Sequence, residues 1–312
     1  MSEEIKTITS VSDILCNVMK IEEKCWDAGM GESLFWYRGH SDDTWELQPT
    51  VLRSTREEDY ANTVNQMESF RSPNKWDDVL KHERIINQRF RHGAYSYFGD
   101  IPAIRVYFAA QHHGLPTRLL DWSLSPLVAL YFACRSERDI KKNGCVYRLF
   151  PRKLPKVYDG QSNNPPSPFD DIVSKHRPHI AEFIESCLFD SQPFNACAGY
   201  KQLKGIPVIP IIPTIITSRI TAQASRFTFH LPVTQSGKAG IKPPLDFHKI
   251  FQGEPHSFAQ YIVPANAKTK ILVELNRLGI HDYSLFPDID NLALHLKTIY
   301  CSRLVYQPLK SP

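Results

Sequence analysis

Gln111-His-His-Gly-Leu-Pro-Thr-Arg-Leu-Leu-Asp-Trp-Ser-Leu-Ser-Pro-Leu-Val-Ala-Leu-Tyr-Phe-Ala133 is the stretch on which a reading of this chain turns. A helical pattern runs from Ile101 to His112, and Pro116 breaks it. Ser125-Pro126 restarts a helix as N-cap and first helical residue, and Leu127, Leu130, Tyr131 and Cys134 follow at helical spacing among apolar neighbours. A helix apolar on most sides belongs in a core. Thr117, Arg118, Asp121, Trp122, Ser123 and Ser125 lie at or before its N-terminus, where free N–H groups and the macrodipole favour an anion. In the plainer reading Ser125 caps, Asp121 pairs with an arginine and Trp122 packs.

Upstream, Phe35-Trp36-Tyr37-Arg38-Gly39-His40 sets a permanently charged guanidinium into a buried strand expected over residues 33–39. Burying that charge is costly unless an anion meets it. The anion is either an acid such as Asp121 or a bound ligand. The guanidinium fork suits bidentate recognition of phosphate or carboxylate. Gly39 lets a backbone or a ligand come close.

Outward from these blocks, residues 8–27 read as a helix capped by Ser12, with Ile14, Val18, Ile21 and Trp26 near one face and Gly29 and Gly31 beyond its end. A short strand is expected around Trp45-Glu46-Leu47. Residues 76–91 predict an amphipathic helix with Val79, Glu83, Ile86 and Phe90 on one face. A strand follows at 145–150, then an exposed Pro/Asn/Ser/Lys loop from 151 to 169 and a helix over 175–190. Pro207, Pro210 and Pro213 give 206–216 the spacing of polyproline II. A strand is expected over 220–231, with Arg219 and Gln223 near its start and Phe227 and Phe229 on one face. A short strand at 261–264, a helix over 267–278 stopped by Gly279, and a last helix at 289–298 complete the pattern. Strands and helices without regular βαβ alternation make the class α+β.

At 312 residues the chain can bury a full core. A formal charge of +4 admits a nucleic-acid partner without demanding one. Seven cysteines, an odd number with no Cys-x-x-Cys, read as scattered reduced thiols. His112-His113 has no third ligand at metal spacing, so no metal site is expected. The absence of a glycine-rich phosphate loop and of a Gly-x-Ser-x-Gly elbow argues against P-loop NTPases and α/β-hydrolases. Met1-Ser-Glu-Glu-Ile-Lys does not resemble a signal peptide, and the longest apolar run, 206–216, is broken by prolines. A cytoplasmic protein away from membranes is expected.

Tyr37-Arg38-Gly39, the 111–133 block and Ser284-Leu-Phe-Pro-Asp-Ile-Asp-Asn-Leu-Ala293 together resemble the FRG domain family, with Asn291 where the family carries glycine. The resemblance implies an N-terminal helix at 1–29, an FRG domain over 30–298 that includes a Pro-rich region at 151–215, and a tail at 299–312. The same elements resemble the arginine-serine-glutamate class of ADP-ribosyltransferases. There Tyr-Arg-Gly lies on a first strand, and a serine strand leads into an apolar helix, here Ser123-Leu-Ser125 and Val128–Ala133. That class carries a glutamate at the start of a later strand, where this chain has Gln223.

This second resemblance implies a single large domain with a split, mixed or antiparallel sheet core surrounded by helices, and NAD as substrate. Arg38 would hold the pyrophosphate, helped by Arg118 or the helix starting at Pro126. Ser123 or Ser125 would orient the nicotinamide ribose, and Tyr37 or Trp122 would stack on nicotinamide. Gln223 would position the ribose or the nucleophile. Arg38, Ser125 and Gln223 are then the catalytic set, with Tyr37, Gly39, Thr117, Arg118, Asp121, Trp122 and Ser123 around NAD. Glutamine supplies no negative charge for an oxocarbenium-like transition state. The implied protein is a bacterial or phage toxin or defence effector, with an inhibitor or antitoxin partner and a protein, RNA or DNA target. Lys75, Lys81, Arg84, Arg89 and Arg91 could face such a nucleic acid, the plainer reading being a solvated helix face. The alternative is a non-catalytic binding module with a structural Arg–Asp network.

Overall fold

In the computed structural model, which describes residues 6–26, 35–53, 76–151, 154, 179, 181–189, 208–213, 217–231, 246–252 and 256–301, six strands form one antiparallel sheet. In chain order the labelled elements are α1 (Val11–Trp26), β1 (Trp36–His40), α2 (Trp76–Gly93), α3 (Tyr95–Phe98), α4 (Ala103–His112), β2 (Leu119–Ser123), α5 (Pro126–Cys134), β3 (Gly144–Leu149), β4 (Val208–Ile211), α6 (Ser218–Ala222), β5 (Ser225–His230), α7 (Phe247–Ile250), β6 (Phe258–Val263), α8 (Ala265–Arg277), α9 (Asp282–Leu285) and α10 (Ile289–Cys301). The sheet order is β4-β5-β2-β1-β3-β6. Every strand pairing is antiparallel, the second of the two arrangements expected; among the described residues a parallel contact occurs only as the isolated bridge Thr7–Ile262 at the outer edge.

The middle of the sheet is its weakest seam. All five residues of β1 pair with β3, and all five of β2 with β5, yet β1 and β2 meet through the single pair Tyr37–Ser123. The sheet is therefore split into two halves, β4-β5-β2 and β1-β3-β6, joined at one point.

Register partners in an antiparallel pair share a face. One face carries Tyr37, Gly39, Val146, Asp121, Ser123, Ser225, Phe227 and Phe229; the other carries Trp36, Arg38, His40, Trp122 and Thr228. On the first face, α1, α5 and α8 cover the β1-β3-β6 half through Ile14, Tyr37, Leu130, Val146, Tyr261 and Ile271. The other half is covered by α4 and residues 181–189 through Phe108, Phe183, Leu188, Phe227 and Phe229. The two apolar clusters leave a gap between them, over the seam. A third cluster of Trp36, Leu120, Trp122, Tyr147, Phe247 and Phe258 covers the opposite face.

Helix α5 begins as the sequence dictates, with the Ser125 hydroxyl accepting the Val128 N–H at 3.4 Å and Pro126 at the first turn. It lies directly on the sheet. A Cβ on Gly39 would stand 1.8 Å from the Ala129 carbonyl oxygen and 2.6 Å from Ala133 N, and one on Gly144 would stand 2.4 Å from Ala133 O. The glycine of Tyr37-Arg38-Gly39 is thus demanded by a helix backbone.

Several local expectations are corrected. The cap of α1 is Ser10, which exchanges hydrogen bonds with Asp13 (2.9 and 3.3 Å), and not Ser12. No strand forms at Trp45–Leu47. Among the described side chains of α2 the buried ones are His82, Glu83 and Asn87, while Ile86 and Phe90 are half-buried. Residues 208–211 form β4, not polyproline II, and Pro210 is tolerated because β4 is an edge strand. The strand expected over 220–231 is split: Thr217 caps the short α6 by accepting Ile220 N–H at 3.4 Å, Ala224 turns at φ 46°, and only then does β5 begin. Residues 185–189 form a π-helical turn, and α10 continues past 298 to Cys301. Gly29, Gly31, Lys75, Pro207, most of the 151–169 loop and residues 302–312 lie outside the described residues, as do the side chains of Trp26, Val79 and Lys81.

Candidate functional site

A cleft of about 270 Å³ opens over the seam, where the two apolar clusters part. Tyr37, Gly39, Asp121, Ser123 and Ser225 form its floor, and Val128, Ala129 and Phe132 of α5 form one wall. The end of α4 contributes Gln111, with Gly114 and Leu115 just after it; α6 and the turn beyond it contribute Arg219 and Gln223.

Arg38 enters this cleft from the opposite face. Its Nε donates to His40 Nε2 at 2.8 Å, and its Nη1 donates to the Asp121 carbonyl oxygen at 2.6 Å while standing 3.7 Å from Asp121 Oδ2. The guanidinium thus fills the split between β1 and β2 and reaches the cleft, its side chain 13% exposed. Burial pushes its pKa down and Asp121 pushes it back up. Because His40 Nε2 accepts from Arg38, the His40 proton sits on Nδ1, facing the Trp45 carbonyl at 3.3 Å. Burial, then the Arg38 charge, holds His40 neutral by lowering its pKa well below the ordinary value.

Asp121 is fixed from the other side. Gln111 Nε2 donates to Asp121 Oδ2 at 2.7 Å, and the Thr117 hydroxyl donates to Gln111 Oε1 at 2.5 Å. The Asp121 side chain remains 54% exposed. A hydrogen-bonded chain thus runs Thr117–Gln111–Asp121–Arg38–His40.

The remaining expected site residues divide into those at the cleft and those behind it. Ser123 is on the floor, but its hydroxyl donates to the Gln223 carbonyl at 2.7 Å and accepts from Ser125 N at 2.9 Å, tying β2 to the turn before β5. Ser125 is the cap of α5 and lies one hydrogen bond behind Ser123. Gln223 lines the cleft as the C-terminal cap of α6, not at a strand start, and its Nε2 donates to the Leu285 carbonyl at 3.0 Å. Trp122 borders the cleft, yet its ring belongs to the opposite-face cluster and its indole N–H donates to Thr228 at 3.0 Å. Thr117 is wholly buried; its hydroxyl accepts from Leu119 N at 3.1 Å and meets the cleft through Gln111.

Arg118 is a correction. It is fully buried away from the cleft, with Nε 2.7 Å from Glu83 Oε2 and its guanidinium between the rings of Phe183 (5.0 Å) and Phe229 (4.8 Å). It cannot hold a pyrophosphate there. The basic face expected on α2 is partly engaged by residues 185–189: Arg84 Nε donates to the Cys187 carbonyl at 3.0 Å, and Arg91 pairs with the partly exposed Glu185 at 2.8 Å.

Arg219, Gln111 and Phe132 were not singled out as site residues from sequence. Arg219 Nη1 donates to the His112 carbonyl at 3.0 Å, and its guanidinium lies 4.4 Å from the Phe286 ring. Burial lowers the Arg219 pKa, against which Asp121 and Asp288 act. Phe286 also meets Arg135 at 4.5 Å and Phe132 at 6.0 Å. The Leu285-Phe286-Pro287-Asp288 stretch therefore buttresses the cleft wall, and its dense motif was the available signal. His112 is pushed down to about 4 by burial, then by Arg219 and His113. Among the described residues no group of three or more His, Cys, Asp or Glu is placed to hold a metal, and no helix is long and apolar enough to cross a membrane.

Residues 33–142 match the family model of the FRG domain. That match supports the FRG family for the segment carrying Arg38, Gln111, Asp121 and α5, whereas Arg219, Gln223, Ser225 and Phe286 lie beyond it. Comparisons with curated proteins and with solved structures gave no match.

Proposed function

We propose that the cleft binds NAD and that the protein transfers ADP-ribose from it to a nucleophile. The observation that carries the reading is Arg38, a guanidinium that crosses the seam of the sheet to reach a half-open cleft. Arg219 faces the same cleft, so two permanent cations border a space with an apolar wall. Fork-shaped donors suit a pyrophosphate, and Tyr37, Val128 and Phe132 suit a flat nicotinamide ring. A volume of about 270 Å³ is at the lower edge of small-molecule pockets, which run from about 300 Å³ upward. The cleft thus takes one end of the dinucleotide, and the rest lies at the mouth.

In this reading Arg38, joined by Arg219 in place of Arg118, holds the phosphates. Ser123, backed by Ser125, fixes the floor beneath the ribose, and Gln223 closes the side. The C1′–nicotinamide bond breaks, nicotinamide leaves with the bonding pair, and a nucleophile of a protein or nucleic acid attacks C1′. A cytoplasmic effector or toxin with a cognate inhibitor is the setting that the family resemblance favours. A non-catalytic binding module is the second reading, favoured by one observation: Gln223 is uncharged and its amide is tethered to Leu285.

The test is transfer of radiolabel from adenylate-labelled NAD into the protein and RNA fractions of a lysate by wild type and Arg38→Ala. Label incorporated by wild type and absent with the variant supports the transferase and names the target class. No label in any fraction, with both proteins folded, leaves the binding module.

A further inference from the structure

We infer, on the transferase reading, that Asp121 is the catalytic carboxylate of this site, supplying the negative charge that Gln223 lacks. Among the described residues lining the cleft, Asp121 is the sole acid. It shares the floor with Ser123 and Ser225, because residues two apart on β2 point the same way and Ser123 is the register partner of Ser225. Its position is rigid. β2 pairs with β5 at Leu120, Asp121 and Trp122, with Asp121 opposite Phe227, and Gln111 clamps Oδ2 at 2.7 Å.

Its charge is also left available. Arg38 spends its Nη1 on the Asp121 carbonyl at 2.6 Å and stays 3.7 Å from the carboxylate, beyond hydrogen-bond length. The side chain lines the cleft and is 54% exposed, so with Oδ2 held by Gln111 the carboxylate still has an open side. Gln223, by contrast, has one amide N–H on Leu285 and is neutral throughout, so neither its second N–H nor its carbonyl oxygen brings a negative charge.

Two tasks follow for Asp121. When the C1′–N bond breaks, nicotinamide departs as a neutral base with the electron pair, and the cationic C1′ is stabilised by a fixed carboxylate in a partly dry site. When water or a target hydroxyl or amine then bonds to C1′, the proton it sheds passes to Asp121 and on to solvent through the exposed side of the carboxylate. Gln111 is a positioning residue, holding the carboxylate by one oxygen so that the other is presented to the cleft.

The experiment uses the full chain, with nicotinamide release from saturating NAD and NAD affinity by calorimetry measured for wild type, Asp121→Asn and Asp121→Ala. Asp121→Asn keeps the shape and removes the charge. The expected result is release slowed by about 100-fold or more, the scale of removing one electrostatic stabiliser, with affinity within about threefold of wild type. Asp121→Ala should be inactive alone and regain part of its rate with added formate, which can occupy the vacated space. Rescue by formate also keeps the test decisive if the asparagine variant does not fold. Asp121→Asn with a wild-type release rate, or a loss confined to affinity, or no formate rescue of a folded Asp121→Ala, overturns the inference while leaving the transferase in place. Wild type that neither binds NAD nor releases nicotinamide overturns the transferase reading, and this assignment with it.

Discussion

Arg118, just before β2, and Arg38, on β1, are two guanidiniums at the same sheet, yet their surroundings make them opposites. Arg118 is sealed: Glu83 stands 2.7 Å away, two phenylalanine rings flank it, and both charged side chains are 0% exposed. Arg38 has its nearest carboxylate at 3.7 Å on a half-exposed Asp121, and its other donors go to a backbone carbonyl and a neutral histidine. An arginine in an apolar stretch announces only that an acceptor must exist. Whether that acceptor is internal decides whether the residue belongs to the core or to a site. Arg118 is a core residue that resembles a ligand contact; Arg38 reaches the cleft, and among the described residues its carboxylate partner stands off at 3.7 Å, which is what the proposed function draws on.

The largest expected effect is on the sealed pair. Glu83→Gln leaves the Arg118 charge buried without its counter-ion and should cost about 3–5 kcal/mol in urea unfolding. Arg38→Ala should cost only about 1–2 kcal/mol, the scale of unmet hydrogen bonds at His40 and Asp121. Equal losses would break the comparison. Next comes Gly39→Ala, whose Cβ meets the α5 backbone at 1.8 Å and should cost about 1–3 kcal/mol or more by overpacking.

Acid should discriminate the two regions as well. His230 is pushed down to about 3 by burial, then by Arg38, and His40 is lowered by the same causes. Each imidazole takes up a proton in the unfolded chain below its ordinary value of 6.5, while the folded protein excludes it. The unfolded state then binds more protons, so stability falls as pH drops below about 6.5, by up to about 1.4 kcal/mol per pH unit for each residue. Unfolding midpoints measured from pH 7 to pH 4 should show this slope, and Arg38→Ala should flatten it by removing one cause. An unchanged slope in that variant would separate these histidines from Arg38. Smallest is Ser125→Ala, expected to cost about 1 kcal/mol as a lost helix cap, with the cleft floor kept by Ser123.

What could be read from the sequence was what local chemistry determines. Ser125-Pro126 and the apolar run after it marked α5, Gly279 marked the end of α8, where it takes φ 80°, and Tyr37-Arg38-Gly39 marked a buried strand. The pairing of Arg38 with Asp121 was readable as one of two options, since both motifs were dense. The partner of Arg118 was not, because Glu83 sits on a helix whose apolar positions disguised a buried polar trio of His82, Glu83 and Asn87. The alternation Ile220-Thr221-Ala222-Gln223 imitates a strand, and only the Thr217 cap and the positive φ of Ala224 make it a helical turn. That turn delivers Arg219 and Gln223 to the cleft, so the part of the site beyond residue 142 depended on tertiary contacts such as Phe286 under Arg219.

The most direct measurement is NAD binding by calorimetry to purified wild type and Arg38→Ala, with unfolding midpoints taken in parallel. The account predicts that wild type binds and that a folded Arg38→Ala binds at least about tenfold more weakly, a loss of about 1.4 kcal/mol. Equal affinity in the two proteins, or no binding to wild type, would contradict it.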